Sequence, residues 1–124
     1  MVGQDQGQPQ DQQADCIFCR IARGEIPAQV VHESADAVAF RDLNPQGPTH
    51  VLVIPRRHIP QMHQADDAAL LGRLLLTARD IAEREGIATR GYRVVINNGP
   101  DGGQSVDHLH LHVLGGRRFT WPPG

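Results

Sequence analysis

The sequence has no apolar run long enough to cross a bilayer, and its N-terminus lacks the apolar segment of a signal peptide. We therefore expect a cytoplasmic protein that does not enter membranes. Basic residues are not clustered and the formal net charge is -2, so a nucleic-acid polymer is not a predicted partner. Only two cysteines are present. In a reducing compartment they argue against a structural disulfide and leave metal binding or redox chemistry open.

The chain of 124 residues has the length of one domain. Residues 1–14 are mostly Gln, Asp and Gly, and they have too little apolar surface to offset the entropy of ordering. We expect them to be a disordered polar tail that precedes a domain at 15–124. In that domain the patterns predict a short helix at 16–22, a hairpin of strands at 28–32 and 37–40, and a buried strand at 51–54. A long helix capped by Asp66 or Asp67 and closed by Gly86 follows, and then strands at 92–96 and 108–114. This order is typical of an α+β domain with a mainly antiparallel five-stranded sheet.

Residues 108–114 are the most informative segment, because His108, His110 and His112 alternate with apolar residues. In a β-strand this period puts all three imidazoles on one face, roughly 6.6 Å from one to the next at about 3.3 Å of rise per residue. Two imidazoles can then meet one small ligand while a third acts beside them. A half-exposed strand with a polar face, or a plain metal clip, is the simpler alternative.

The loop at 97–105 contains three glycines, followed by Gln104 and Ser105. Glycines let backbone N–H groups approach an anion, and the two side chains add donors. Alone, the loop indicates only a turn between strands. Because it leads directly into the histidines, it favours phosphoryl or nucleotidyl transfer, in which one imidazole attacks phosphorus to form a covalent intermediate.

Cys16 and Cys19 form a C-x-x-C pair that can bind zinc, although a tetrahedral structural site needs two more ligands. His50 and a histidine of the 108–112 segment are candidates, and nothing in the spacing decides between them. Free buried thiols or redox chemistry are the alternatives.

The motif H-L-H-L-H-V-L resembles the one that names the histidine-triad superfamily of nucleotide hydrolases and transferases. The chain is also similar to its Hint branch, the nucleoside phosphoramidase group, over the segments at 26–28, 48–55, 101–106 and 121–124. The resemblance extends from about residue 15 to the C-terminus. It implies a homodimeric enzyme that hydrolyses purine nucleoside 5′-phosphoramidates, with a sheet that continues across the dimer and a tail at Trp121 that reaches the other subunit.

The resemblance also implies roles for single residues. His110 would be the nucleophile that becomes nucleotidylated, and His112 would stabilise the α-phosphate. Ser105 and Gln104 would handle the leaving group and the phosphate oxygens, and Asp42 and Asn97 the ribose region. The expected purine pocket consists of Ile17, Phe18, Ile21, Phe40 and Leu43. Ordinary core packing is the alternative for each pocket residue, and a turn is the alternative for Asp42.

Some superfamily members bind zinc, and the matching positions here are Cys16, Cys19, His50 and His108. The ion would be structural and would orient His110, and catalysis would need no cofactor. His58 follows Pro55-Arg56-Arg57 and is expected near the site, but the sequence assigns it no role.

Three other functions remain open from the sequence. The first is hydrolysis of dinucleoside polyphosphates, and the second is a nucleotide-binding regulator without turnover. The third is a zinc or redox protein, for which loss of both cysteines would abolish function rather than only stability.

Overall fold

The computed structural model describes residues 15–124, so the expected tail at 1–14 lies outside the described residues. Over residues 15–124 the fold consists of two α-helices and five strands, with a short 3₁₀ turn at Met62–Gln64. The elements are α1 (Ile17–Ala22), β1 (Val30–Glu33), β2 (Ala37–Arg41), β3 (Thr49–Pro55), α2 (Ala68–Arg84), β4 (Tyr92–Ile96) and β5 (Leu111–Gly115). Neither described helix is long and apolar enough to cross a membrane.

One antiparallel sheet organises the chain, in the order β1-β2-β3-β5-β4. This confirms the predicted α+β fold with a five-stranded antiparallel sheet. All seven residues of β3 are buried, because this strand is central and both of its faces are covered. The apolar run at 51–54 is thus the middle of a longer strand.

The two faces of the sheet bury different clusters. The larger cluster packs under α2, whose inward residues Leu70, Leu74, Ala78 and Ile81 recur at helical spacing. The smaller cluster lies on the opposite face, where Phe18 and Ala22 of α1 cover Phe40 and Leu52. Successive strand residues point to opposite faces, so the even-numbered residues of β3 and β5 belong to the α1 side.

Asp67 is the N-cap of α2, because its carboxylate accepts a hydrogen bond from the Leu70 N–H at 3.0 Å. The helix ends before Gly86, which has a φ of 76° at the position where a left-handed residue commonly terminates a helix. Of the two predicted caps, the structure therefore selects Asp67.

The predicted strand at 108–114 is too long at its start. Strand β5 begins at Leu111, because the Leu109 N–H donates to the Ile59 carbonyl at 2.7 Å, outside the ladder with β3. The alternation of side chains nevertheless persists through the segment: Leu109, Leu111 and Val113 are buried in the cluster under α2.

Candidate active site

His110 is held by the backbone of its own segment. It is 4% exposed, and its Nδ1–H donates to the His108 carbonyl at 2.7 Å. In the neutral ring this bond leaves Nε2 unprotonated, with its lone pair available. The edge of Phe18 packs against the ring, with centroids 5.2 Å apart, and restricts its rotation. His110 is thus fixed in the tautomer that a nucleophile requires.

His50 and His112 form a hydrogen-bonded pair beside it. The Gln46 N–H donates to His50 Nδ1 at 3.0 Å, so the His50 proton lies on Nε2, which is 2.9 Å from His112 Nδ1. His112 Nδ1 therefore accepts, and His112 carries its own proton on Nε2. That Nε2 is buried and has no hydrogen-bond partner among the described residues. An unsatisfied buried donor of this kind is costly unless a ligand accepts from it.

The charge state of His112 follows from its surroundings. Burial lowers its pKa to about 4, and the neighbouring His110 and His50 add to that decrease while Asp42 opposes it. Burial also lowers the pKa of His50, again with Asp42 in opposition. Both rings are therefore neutral at pH 7, and His112 offers an N–H donor without a formal charge.

A mostly apolar cavity of about 280 Å³ opens in front of His110 and His112. Ser105 and Asp42 are polar members of its lining. The predicted purine-pocket residues all line it, namely Ile17, Phe18, Ile21, Phe40 and Leu43. Leu43 is 100% exposed, so core packing is excluded for that residue, whereas Phe18 and Phe40 belong to the smaller core cluster as well. The cavity therefore has the apolar walls and few polar groups that are typical of a small-molecule site.

Two predicted site residues lie elsewhere. The Gln104 side chain is used within its loop, since its amide donates to the Pro60 and Val106 carbonyls and accepts from the Gly99 N–H. Asn97 directly follows β4, and in the described part of the chain neither it nor Gln104 lines the cavity. Asp42 lines the cavity, and its Oδ1 also accepts a hydrogen bond from the Asn44 N–H at 2.8 Å in the turn, so its role with the ribose stays a prediction.

The four ligand atoms of Cys16, Cys19, His58 and His108 lie within 4.8 Å of one another. Separations are 3.2 Å between the two Nδ1 atoms, 3.4 and 3.5 Å from the thiol sulfurs to His108 Nδ1, and 3.3 Å from Cys19 Sγ to His58 Nδ1. A tetrahedral zinc ion with ordinary Zn–S and Zn–N bond lengths spaces such ligands by about 3.3–3.6 Å. The donor set and its spacing therefore fit zinc.

His108 has the tautomer and the orientation that a zinc ligand needs. Its Nε2–H donates to the Pro55 carbonyl at 2.8 Å, which leaves Nδ1 unprotonated and directed into the cluster. Burial lowers its pKa to about 4, so the ring is neutral as a ligand must be. Its backbone carbonyl is also the acceptor that orients His110. A single residue therefore connects the metal cluster to the candidate nucleophile.

The structure corrects one member of the expected zinc set, since His50 pairs with His112 and His58 occupies the place expected for His50. The reason is the register: Val53 pairs with Leu111, so residues just past β3 lie beside those just before β5, while His50 is opposite Leu114. Knowledge of the β3–β5 register would have identified His58, because the antiparallel pairing brings it to His108.

The family model described as HIT domain matches residues 23–119. The chain belongs to the HIT domain family. It is 54% identical over 112 residues to an uncharacterized HIT-like protein of Synechocystis sp., covering 89% of this chain and 97% of the relative. An uncharacterized HIT-like protein of Synechococcus elongatus is 55% identical with the same coverage.

Solved structures give the same family. A HIT family hydrolase from Legionella pneumophila Philadelphia 1 superposes with a TM-score of 0.87 at 51% identity, over 89% of this chain and 100% of that one. A Zn-bound histidine triad family protein from Mycobacterium smegmatis has a TM-score of 0.76 at 27% identity, over 89% and 80% of the two chains. The fold of this HIT protein is thus that of solved HIT family hydrolases.

Proposed function

We propose that this HIT protein is a hydrolase of purine nucleoside 5′-phosphoramidates that acts through a nucleotidyl intermediate on His110. The observation that carries the proposal is the pairing of two imidazoles in one apolar cavity. His110 has an unprotonated Nε2, and His112 has a buried N–H without a partner among the described residues. One is a nucleophile and the other is a donor for a phosphate oxygen, which together are what attack on phosphorus requires.

In the first step His110 Nε2 attacks the α-phosphorus, and the bond from phosphorus to the amine nitrogen breaks. The Ser105 hydroxyl lines the cavity and donates a proton to the departing nitrogen, so that a neutral amine leaves. The nucleotidylated ring is cationic and keeps its Nδ1–H on the His108 carbonyl, which stabilises the charge.

In the second step water attacks phosphorus and the bond to His110 breaks, which releases the nucleoside monophosphate and restores the neutral ring. The proton that the water loses returns to the Ser105 oxygen, so the enzyme regains its starting state. Imidazole suits both steps because it is nucleophilic when neutral and leaves readily once it is cationic. Asp42 is the group in the cavity that can accept hydrogen bonds from the ribose hydroxyls. Contacts of Asn97 and Gln104 with the nucleotide remain predictions.

We also propose that Cys16, Cys19, His58 and His108 hold a structural zinc ion. The fit of the donor atoms supports this, as does the Zn-bound relative from Mycobacterium smegmatis. When bound, the ion supplies no chemical step, but it holds α1 against the residues that orient His110. Thiols that serve as ligands suit a reducing compartment such as the cytoplasm.

A homodimer completes the proposal. Leu75 and Leu76 on α2 and Tyr92 on the edge strand β4 are large exposed apolar side chains, and β4 pairs only with β5 among the described strands. Pairing of β4 with its copy would continue the sheet across two subunits and place the Trp121 tail, 82% exposed, near the partner. The molar mass measured by light scattering after size exclusion tests it, and a monomer at micromolar concentration contradicts it.

The proposed chemistry is tested by intact mass after a brief acid-free quench with an adenosine phosphoramidate. We expect native protein and the His63→Ala control to gain one AMP transiently, and His110→Ala to gain none and form no product. Product formation by His110→Ala at the native rate would contradict the mechanism. Nucleotide binding without adduct or product in native protein would indicate a regulator. In a steady-state assay of product formation, a dinucleoside polyphosphate is expected to give a lower kcat/KM than the phosphoramidate.

A further inference from the structure

We infer that a second cavity beside the nucleotide pocket binds the leaving group of the substrate and favours one that carries a positive charge. The inference rests on the proposed function and extends it to the substrate class. It makes Asp15 and Asp107 specificity-determining residues, a role that neither the triad motif nor the fold assigns to them.

The second cavity has a volume of about 440 Å³ and shares a wall with the nucleotide pocket. Ile17, Ser105 and Val106 line both cavities, so a ligand that passes Ser105 enters the second one. The two cavities are therefore adjacent, and in the proposed complex a group in the first cavity continues past Ser105 into the second.

The proposed reaction requires the leaving group to extend from the first cavity toward the second. His110 is 4% exposed, and its Nε2 has no hydrogen-bond partner among residues 15–124, so the reacting atom is free for phosphorus in the first cavity. Displacement at phosphorus is roughly in line, so the departing nitrogen lies away from His110. Ser105 is the proposed donor to that nitrogen, and the remainder of the amine then extends beyond Ser105 into the second cavity.

The lining of the second cavity is negatively charged. Among the described residues, its lining includes Asp15 and Asp107 and no arginine. Within the described part of the chain, neither carboxylate has a cation within 4.0 Å. The charge of these two carboxylates is therefore not neutralised by a neighbouring cation in that part of the chain, and it gives the cavity a negative field.

A zinc ion in the neighbouring cluster would not cancel this field. Two thiolates and two neutral imidazoles around Zn²⁺ give a site with no net charge, so the carboxylates determine the local potential with or without the metal. An amine that carries a second, protonated amino group is attracted to this cavity, and an amine that carries a carboxylate is repelled. Because Asp15 and Asp107 are exposed, we expect a factor of roughly three for each carboxylate.

Three N-substituted adenosine 5′-phosphoramidates of matched length test the inference. Their amines are 1,5-diaminopentane, hexylamine and 6-aminohexanoate, which differ only in the charge at the far end. With the full-length, zinc-loaded protein at low ionic strength we expect kcat/KM to be highest for the diamine and lowest for the carboxylate. Added salt should reduce the ratio between them, because exposed charges are screened.

Variants assign the effect to the cavity. Asp15→Asn and Asp107→Asn should each lower the ratio of diamine to hexylamine by roughly threefold, and Asp107→Arg should favour the carboxylate. Glu83→Gln removes the same charge from the exposed side of α2 and should leave the ratio as in native protein. Equal rates for the three substrates, or an unchanged ratio in all Asp15 and Asp107 variants, would overturn the inference and leave the phosphoramidase intact. No hydrolysis of any of the three and no adduct on His110 would overturn both.

Discussion

Because His50 donates a hydrogen bond to His112, we predict that His50 controls the rate of the proposed reaction although it does not contact the phosphate. His50 Nε2–H fixes the His112 tautomer in which Nε2 carries the proton. In His50→Ala the neutral His112 ring is free to carry its proton on Nδ1 instead. Its Nε2 then presents a lone pair to the phosphate oxygen, where native protein presents an N–H.

The size of the effect follows from the bond that is lost. A hydrogen bond to a charged group contributes about 1.5–3 kcal/mol. Since each 1.4 kcal/mol is a factor of ten, kcat/KM for His50→Ala should fall roughly 10- to 100-fold. The rate of nucleotidylation in a single turnover should fall by the same factor, because the donor acts on the phosphate during attack.

The assay compares three variants with native protein. In His50→Gln the side-chain amide nitrogen can donate from about the position of Nε2, so this variant should recover a large part of the loss. His63→Ala removes an exposed histidine that is not among the residues lining the cavity, and its kcat/KM should stay within twofold of native. Melting temperatures of all variants report whether folding is affected. A native-like kcat/KM for a folded His50→Ala, or no recovery in His50→Gln, would refute the reasoning.

Other predictions concern stability. Leu74→Ala removes a fully buried side chain under α2 and should lower the free energy of unfolding by about 2–5 kcal/mol in urea denaturation; a loss below about 1 kcal/mol would contradict the packing. Gly115→Ala places a methyl group 2.5 Å from Ile87 Cδ1 and should lower the free energy of unfolding by about 1–3 kcal/mol in the same assay. An unchanged free energy of unfolding would mean that the end of the strand relaxes to admit the methyl group. Folding lowers the pKa of His112 from 6.5 to about 4, so between these pH values the unfolded chain binds a proton that the folded protein does not, and stability falls as pH is lowered. From about pH 7 to pH 5 the loss from this residue is at most about 2 kcal/mol, and His112→Gln should lack that part of the acid sensitivity. Chelation of the zinc should lower the melting temperature of native protein but not that of Cys19→Ser. The chelated native protein should still form the nucleotidyl adduct at low temperature. Loss of the adduct together with the metal would favour a zinc protein instead.

Local patterns predicted most of the fold because each element depends on its own periodicity. The spacing of apolar residues and the cap at Asp67 define α2, and the uniform apolar run marks the central strand β3. The predicted start of β5 was wrong for the same reason. The alternation of buried and polar side chains continues through Leu109, but the hydrogen-bond ladder with β3 does not. The Leu109 N–H instead donates to the Ile59 carbonyl in a distant segment. Periodicity reports which side chains are buried and not which strand accepts each hydrogen bond.

For the candidate site, too, the local pattern predicted one part, and the other part depends on contacts between distant segments. The H-x-H-x-H spacing predicted that His110 and His112 share a face, and both line the cavity. The fourth member of the candidate zinc cluster required the register between β3 and β5, which brings His58 rather than His50 to His108. No local pattern contains that register, since it depends on how two strands about sixty residues apart align in the sheet.

The smaller cluster on the α1 side has a consequence for ligand binding. Phe18 and Phe40 belong to that cluster and also line the nucleotide cavity, so this face of the sheet is an incomplete core. A purine ring in the cavity would add a layer that packs against side chains of both α1 and the sheet. Occupancy and folding are then linked by mass action, and a nucleotide at about a hundred times its Kd would add about 2.7 kcal/mol to stability. If the proposed function holds, the substrate would in part be a component of the hydrophobic interior of this domain.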